Sequence, residues 1–211
     1  MTMDNNPYSR QLYVGPYVGT DGVRTQGRAG RTGEQMVSQV HGQYYEQSHR
    51  GNIFMAQAII TAPVIWTTEA GTGGPLLWNG SSSVKASILA VGWGVSTVST
   101  VAAVIGLTGG YDQTSAPTST TAIDSQGSLD GGNVTPQTSV YRVGTTGTNR
   151  WFLPLGDLNT GALTTRPSTM NWIDLGGMVS LKQYGFVSFA ASATASTTVM
   201  NVCIIWEEVP V

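Results

Sequence analysis

The chain has 211 residues, of which 10% are charged, and its formal net charge is −2. About a quarter of an ordinary soluble domain is charged, so a surface this poor in charge is expected to be covered by other subunits or a partner. The near-neutral balance excludes a general attraction to nucleic acid or acidic membranes, and the single cysteine, Cys203, excludes an intrachain disulfide framework.

Residues 1–34 are predicted to form an extended arm. They show no sustained apolar period and are rich in Gly, Asn and Arg. Tyrosines spaced along such a segment are good anchors for docking. The basic stretch GVRTQGRAGR has two equally good interpretations. It is either a solvated loop or a contact to carboxylates or a neighbouring chain. The predicted partner-binding residues of the arm are Tyr8, Arg10, Tyr13, Tyr17, Arg24, Arg28 and Arg31.

The opening residues, MTMDNNPYSR, show no basic stretch followed by an apolar one, so no secretory signal is predicted. The glycosylation sequons that begin at Asn79 and Asn133 are therefore expected to be chance matches.

Residues 35–211 are predicted to form one β-sandwich domain that begins with the chain's single helix candidate. The stretch 35–49, QMVSQVHGQYYEQSH, has apolar residues at helical spacing, but Gly42 interrupts it. A short helix or turn near residues 41–48 is therefore expected. The polar and aromatic residues around this stretch form a second set of interface candidates: His41, Tyr44, Tyr45 and Arg50.

From Gly51 onward the chain is typical of an all-β protein. Runs of Val, Ile, Thr and aromatic residues alternate with clusters of Gly, Ser, Thr, Asn and Pro. Many strands with almost no helix predict an antiparallel sandwich or barrel, and we expect a jelly-roll-like sandwich. The predicted strands are Ile53–Ile60, Val64–Thr68, Leu76–Trp78, Val84–Val95, Val101–Leu107, Val140–Val143, Trp151–Leu155, Trp172–Leu175, Val179–Gln183, Phe186–Ala190 and Thr197–Trp206.

Two segments between these strands need separate interpretation. Residues 86–111 are uncharged and long enough to span a membrane. Hydroxyl residues cluster at their centre, where hydrocarbon tolerates them least, so two buried strands are favoured over a membrane helix. Residues 109–137 form a long polar connection, which in a compact domain is usually functional or packed on a neighbour.

The last strand ends in two adjacent acids, Glu207 and Glu208. Successive side chains of a strand point to opposite faces, so these carboxylates cannot share a substrate as an acid/base pair. We interpret them as the hydrated end of a strand that is apolar on both faces. Cys203 lies within this strand and is expected to be a small buried hydrophobe.

No motif in the sequence indicates catalysis or a cofactor. The two histidines, His41 and His49, lack the partners of a metal site. The glycine-rich run 71–74 precedes a strand and not the helix that a phosphate-binding loop requires. Of the six tryptophans, Trp93 and Trp206 are expected in the core, and the others near strand ends. We therefore predict neither an enzyme nor a metal or cofactor site.

The segment SQVHGQYYEQSHRGNIFMAQA (38–58) and the terminal VCIIWEEVPV resemble a group of tailed-phage head decoration (cement) proteins with a jelly-roll sandwich. The similarity rests on YYE at 44–46, RGN at 50–52 and WEEVP at 206–210. The resemblance implies a place on the outer surface of the virion capsid, symmetric assembly such as a homotrimer, and no catalysis.

These observations lead to one expected function and one alternative. The expected function is a capsid decoration protein that binds the major capsid protein and itself, without nucleic acid or membrane partners. The alternative is a receptor- or glycan-binding module of a phage fibre or tail, which would use the exposed tryptophans and residues 109–137. A hydrolase domain on such a fibre would need clustered carboxylates, which the twelve scattered acids do not supply.

Overall fold

The structure, a computed structural model, describes most of the sequence after residue 43. The chain divides between Tyr44 and Tyr45, and the second unit, from Tyr45 onward, contains the β-strands. The residues described are 44–61, 63, 65–67, 75–97, 101–117, 119–121, 125–129, 134–141, 143–144, 147–158, 171–193 and 198–211.

The described part of the second unit contains one short helix, and the rest of its regular structure is β-strand. The helix α1 comprises Tyr45–His49. The strands are β1 (Ile53–Thr61), β2 (Leu76–Trp78), β3 (Val84–Thr97), β4 (Ala103–Gly110), β5 (Ser119–Thr121), β6 (Ser125–Ser128), β7 (Ser139–Tyr141), β8 (Val143–Gly144), β9 (Trp151–Leu158), β10 (Asn171–Leu181), β11 (Phe186–Ala191) and β12 (Val199–Pro210).

These strands form two five-stranded antiparallel sheets, which confirms the predicted all-β sandwich. The first sheet has the order β10-β3-β12-β1-β6, and the second has the order β7-β2-β11-β4-β9. A separate two-stranded ribbon joins β5 and β8. Apart from the short strands β5 to β8, the chain alternates between the two sheets at every step except from β4 to β9.

The inner faces of the two sheets share one apolar core. On β12 the alternate residues Met200, Val202, Ile204 and Trp206 all enter it, because successive side chains of a strand point to opposite faces. The Phe54 ring stacks on Trp206 with 5.8 Å between ring centroids. Fully burying an aliphatic or aromatic side chain of this size contributes about 1.5–3 kcal/mol, so the central strands hold the sandwich together.

The outer face of the second sheet is covered by the chain itself. Every residue of β11 is buried, on both faces of its strand. The backbone amide of Trp66 donates to the carbonyl of Ala191 at 3.0 Å. The indole Nε1 of Trp78 donates to the carbonyl of Gln113 at 2.9 Å. The segments around Trp66 and Gln113 therefore contact this sheet, in which β9 is an edge strand, whereas β10 is an edge strand of the first sheet.

The predicted strand pattern agrees with the structure in most places and differs in four. The expected strand Val140–Val143 is divided between β7 and β8. The two expected strands at 172–175 and 179–183 are one strand, β10, interrupted by an irregularity between Asp174 and Val179. In the expected strand Val64–Thr68, the described residues form only an isolated bridge at Ile65. The polar connection 109–137 contains the short strands β5 and β6. They were not predicted, because apolar and polar residues alternate only weakly in this segment.

The uncharged segment 86–111 forms β3 and β4, as the hydroxyl cluster predicted. None of the helices in the described ranges has the length and apolar character needed to cross a membrane.

The RGN sequence at residues 50–52 ends α1. Gly51 has a φ of 72°, the left-handed conformation that favours glycine after a helix. Its amide donates to the carbonyl of Ser48 at 2.9 Å, and the Asn52 amide donates to the carbonyl of Gln47 at 3.0 Å. The chain then turns directly into β1. The expected short helix near residues 41–48 is thus found at Tyr45–His49 within the described part.

Candidate functional site

A cleft of about 510 Å³ opens along one side of the sandwich, between strands β9 and β10. We call it the β9–β10 cleft. Its walls are residues 151–153 of β9 and residues 178–182 at and after the end of β10, with Gly110, Tyr111 and Gly185 closing one end. Both strands are edge strands: in the described ranges, β9 pairs with β4 alone and β10 pairs with β3 alone. The cleft therefore lies where the two sheets part.

The lining of the cleft is largely apolar. Trp151 and Leu153 pack with one side against the core and line the cleft as well. Met178 projects outward with 74% of its surface exposed. Lys182 is the one charged residue among the described residues of the lining. Exposed apolar surface of this kind, with few polar groups, is typical of a site for a ligand or a protein partner.

The rim of the cleft is an organised polar and aromatic cluster. The side chains of Arg150 and Asp112 form an ion pair at 2.9 Å. The guanidinium carbon of Arg150 lies 5.6 Å from the centroid of the Tyr111 ring, within the range of a cation–π interaction. The Arg150 amide donates to the carbonyl of Gly109 at 2.8 Å, which fixes the backbone of this cluster to β4.

The irregularity in β10 positions Met178 at the cleft. Gly176 and Gly177 have φ values of 53° and 82°, which favour glycine because a Cβ would be crowded there. The carboxylate of Asp174 accepts a hydrogen bond from the Gly176 amide at 2.8 Å. The turn inserts extra residues on the β10 side of its pairing with β3 but keeps the alternation of the strand. Leu175 and Val179 both face the core, and Met178 lies on the outer face.

A second polar site lies at the far end of β12, where the structure corrects the sequence interpretation of Glu208. Its side chain is buried at 6% exposure and not hydrated. The carboxylate accepts hydrogen bonds from the amide of Gln137 at 3.0 Å and from the amide and hydroxyl of Thr138 at 2.8 and 2.7 Å. Strand pairing continues to Pro210, which keeps Glu208 inside the sheet on the same face as Trp206.

Glu207 and Cys203 lie on the face of β12 opposite Glu208, and burial changes the pKa of both side chains. Burial raises the pKa of the Glu207 carboxyl above its ordinary value. Burial also raises the pKa of the Cys203 thiol to about 11. The thiol therefore stays protonated at neutral pH and is a poor nucleophile. Cys203 is buried and free, as the sequence predicted for a small hydrophobe.

Asn79 has a structural role that accounts for its sequon. Its side chain is fully buried. The amide nitrogen donates to the carbonyls of Val84 at 2.8 Å and Leu181 at 3.0 Å, and its oxygen accepts from the Ser81 amide at 3.0 Å. With both polar atoms engaged inside the protein, this asparagine is not accessible to a glycan.

The predicted interface residues lie largely outside the described part of the chain. The arm set and His41 belong to residues 1–43, so their roles stay predictions. Tyr44 is half-buried, Tyr45 begins α1, and Arg50 is exposed at the turn that follows. The structure brings none of these described residues to the β9–β10 cleft.

Sequence reasoning missed the cleft because its residues are distant along the chain. Tyr111, Trp151 and Met178 come together only when two sheet edges meet. The tryptophan predictions were more successful. Trp93 and Trp206 are buried in the core, and Trp172, near the start of β10, is 52% exposed.

The described ranges contain no cluster of His, Cys, Asp and Glu side chains that could hold a metal ion. No protein-family model matches the sequence, and no curated protein matches it.

Proposed function

We propose that the protein is a capsid decoration protein that binds the outer surface of a phage head and stabilises it by clamping neighbouring capsid subunits. The observation that carries this proposal is a chain with only 10% charged residues whose folded body keeps large apolar side chains exposed, Met178 at the β9–β10 cleft and Trp172 near the start of β10. Such a surface suits a subunit that is covered in its working state. The resemblance of residues 44–46, 50–52 and 206–210 to decoration proteins points the same way.

The strand order supports the narrower assignment to a jelly roll. Without the short strands, one sheet reads β1-β12-β3-β10 and the other reads β2-β11-β4-β9. A jelly roll consists of eight strands in two sheets that the chain fills in alternation. This order is compatible with that arrangement and supports the jelly-roll part of the proposal.

The proposed clamp uses the arm, residues 1–34, together with the body. The arm adds to an exposed sheet edge of the major capsid protein, where backbone hydrogen bonds give affinity and tyrosines give register. Ordering a segment on binding costs free energy, so several weak contacts must act together. A symmetric oligomer, which we expect to be a trimer, multiplies them through avidity.

The test is co-sedimentation with empty heads of the phage that encodes the protein. The full chain is expected to pellet with the heads and to raise the temperature at which they rupture. Protein that lacks residues 1–34 is expected to stay folded by circular dichroism but to remain in the supernatant. Truncated protein that decorates heads as tightly as the full chain would contradict the role of the arm.

A receptor- or glycan-binding module is the second candidate, and the rim of the β9–β10 cleft favours it. Sugar rings stack on exposed aromatic faces, and paired charged side chains can hydrogen-bond their hydroxyls. Tyr111 with the Arg150–Asp112 pair offers this combination. In this case the protein would bind host cells or purified surface glycans, and deletion of the arm would leave that binding unchanged.

A further inference from the structure

We propose that the β9–β10 cleft binds an extended peptide segment of another protein, which adds as a strand to the free edge of β10. The segment has alternating apolar side chains and an acidic residue near Lys182. This inference goes beyond the proposed function, because it rests on the cleft and would hold for a protein partner on any assembly.

The geometry of two open sheet edges carries the first step. Residues 178–182 line the cleft, and the described part of the chain places no further strand beside β10. An edge strand presents unpaired backbone N–H and C=O groups. Packed sheets lie about 10 Å apart, whereas paired strands lie about 4.8 Å apart. A single added strand can therefore pair with β10 while its side chains contact the β9 wall.

The pairing edge is β10 and not β9. Pro154 is an exposed residue of β9, and proline lacks the amide hydrogen that strand addition needs. On β10, the two left-handed glycines, Gly176 and Gly177, end regular pairing on one side of Met178. Bulges of this kind block addition along an edge. These features limit the added strand to the stretch 178–182. Within it the carbonyls of Leu181 and Lys182 already accept hydrogen bonds from Asn79 Nδ2 and the Gly185 amide, so the added strand pairs through the groups nearer Met178.

The chemistry of the cleft specifies the segment. Trp151 and Leu153 offer an apolar wall. One face of an extended peptide, carrying every second side chain, can pack against that wall. Lys182 is exposed and is the charged residue of the described lining. An acidic residue at the matching end of the segment would complement it. A sugar would leave most of this apolar wall unused, so a peptide fits the lining better.

The first test uses a fluorescein-labelled hexapeptide in which Val and Thr alternate and Glu occupies one end. Fluorescence anisotropy with the full-length protein is expected to show saturable binding. Two control peptides carry N-methyl groups on alternate amides, one set on each edge of the strand. Methylation of the edge that pairs with β10 should abolish binding, whereas methylation of the other edge should leave the affinity unchanged. The proposal is overturned if the two methylated peptides bind equally well. It is also overturned if the parent peptide shows no saturable binding.

The second test locates the site with protein variants. Met178→Asp places an unpaired charge at the apolar cleft and should weaken binding by about tenfold or more. The control Ile59→Asp changes a 43% exposed side chain on β1 and should have no effect. Lys182→Glu should lower the affinity for the peptide that ends in Glu by about threefold. It should raise the affinity for a peptide that ends in Lys by a similar factor.

Two results would assign the cleft to another occupant. If a second copy of the protein fills the cleft, sedimentation velocity of the free protein will show self-association, and Met178→Asp will abolish it. A neutral oligosaccharide that displaces the labelled peptide and also binds the Lys182→Glu variant normally would indicate a glycan site. Either result overturns the peptide proposal. Thermal unfolding of each variant checks that its fold is retained.

Discussion

Glu208 shows how a carboxylate can be buried at the end of an apolar core. It follows Trp206 on the core face of β12, where water is excluded. A buried charge is tolerated when its lone pairs are used by donors. Two backbone amides and one hydroxyl from residues 137 and 138 supply them. The side chain therefore fixes the segment before β7 to the last strand of the other sheet.

The first prediction concerns the removal of this carboxylate. Glu208→Ala leaves the amides of Gln137 and Thr138 without an acceptor and should lower the free energy of unfolding by about 2–3 kcal/mol. Glu208→Gln keeps one acceptor oxygen but turns an NH₂ group toward a donor, and should cost about 1–2 kcal/mol. Urea denaturation followed by tryptophan fluorescence measures both values.

The matched control is Glu207→Gln, which changes the neighbouring acid on the opposite face of the strand. It should change the stability at neutral pH far less than Glu208→Gln does, because no hydrogen bond to residues 137 and 138 is removed. Equal losses for the two glutamine variants would show that Glu208 does not anchor this segment.

The second prediction concerns the pH dependence that Glu207 confers. Burial raises the pKa of its carboxyl above the ordinary 4.5, so the folded state holds this proton to higher pH than the unfolded state does. The contribution of Glu207 to stability therefore falls as pH rises from about 4.5 through the raised pKa. Glu207→Gln cannot ionise and lacks this fall.

Urea denaturation in steps from about pH 4 to about pH 7 checks it. The stability of the Glu207→Gln variant relative to the original chain should increase with pH across this window. A stability difference between the two proteins that stays constant or shrinks as pH rises would contradict this. It would show that burial does not destabilise the ionised form of Glu207.

At the scale of elements, the β4–β9 pairing depends on a glycine. A methyl group at Gly106 would collide with the carbonyl oxygen of Leu153 and would lie 2.7 Å from a ring carbon of Phe152. The register of the two strands shifts at this point, so the backbones have little room to separate without loss of hydrogen bonds.

The third prediction is that Gly106→Ala lowers the free energy of unfolding by about 2–3 kcal/mol, because overpacking against backbone cannot be relieved by a rotamer change. The control Val104→Ala lies two residues earlier on the same strand, is half-buried and only removes atoms. It should cost about 1 kcal/mol. A Gly106→Ala variant as stable as the control would mean that β9 moves freely. Because β9 forms one wall of the cleft, amide hydrogen exchange of residues 151–153 should also increase in Gly106→Ala.

The elements also show where sequence patterns succeed. Leu76–Trp78 and the start of β1 at Ile53 agree with the prediction, since turn residues flank short apolar runs. The pattern failed at β10, where Gly176 and Gly177 have the composition of a turn between two strands. In the structure both flanking halves pair with the same strand, β3. Only the neighbouring strand decides whether such a glycine pair is a turn or a bulge.

At the scale of the whole molecule, the last strand is also a central one. β12 lies between β1 and β3 and pairs with both along its length. Its core face supplies Trp206 and three further buried residues of the apolar cluster. β1 and β3 are therefore joined in the first sheet only through β12.

The fourth prediction compares three truncations. Removal of residues 199–211 should abolish cooperative thermal unfolding, since the first sheet loses its centre. Removal of residues 209–211 deletes the rim pairs of β12 with Lys85 and Val84 and the hydrogen bond from the Val211 amide to the Ser83 carbonyl. It should leave the transition cooperative. Removal of residues 1–34 should not lower the melting temperature of the body. Cooperative unfolding without residues 199–211 would show that the sheet closes by another route.

The sequence by itself determined the class of fold, the position of most strands and the burial of Trp93 and Trp206, because side-chain alternation and turn residues act over a few neighbouring positions. The burial of Glu208, the bulge in β10 and the cleft between β9 and β10 were decided only by the tertiary structure. Each of them depends on which strands become neighbours, and residues such as Tyr111, Trp151 and Met178 carry no local signal that they will meet. Strand pairing across long stretches of chain sets those contacts, and local composition does not encode it.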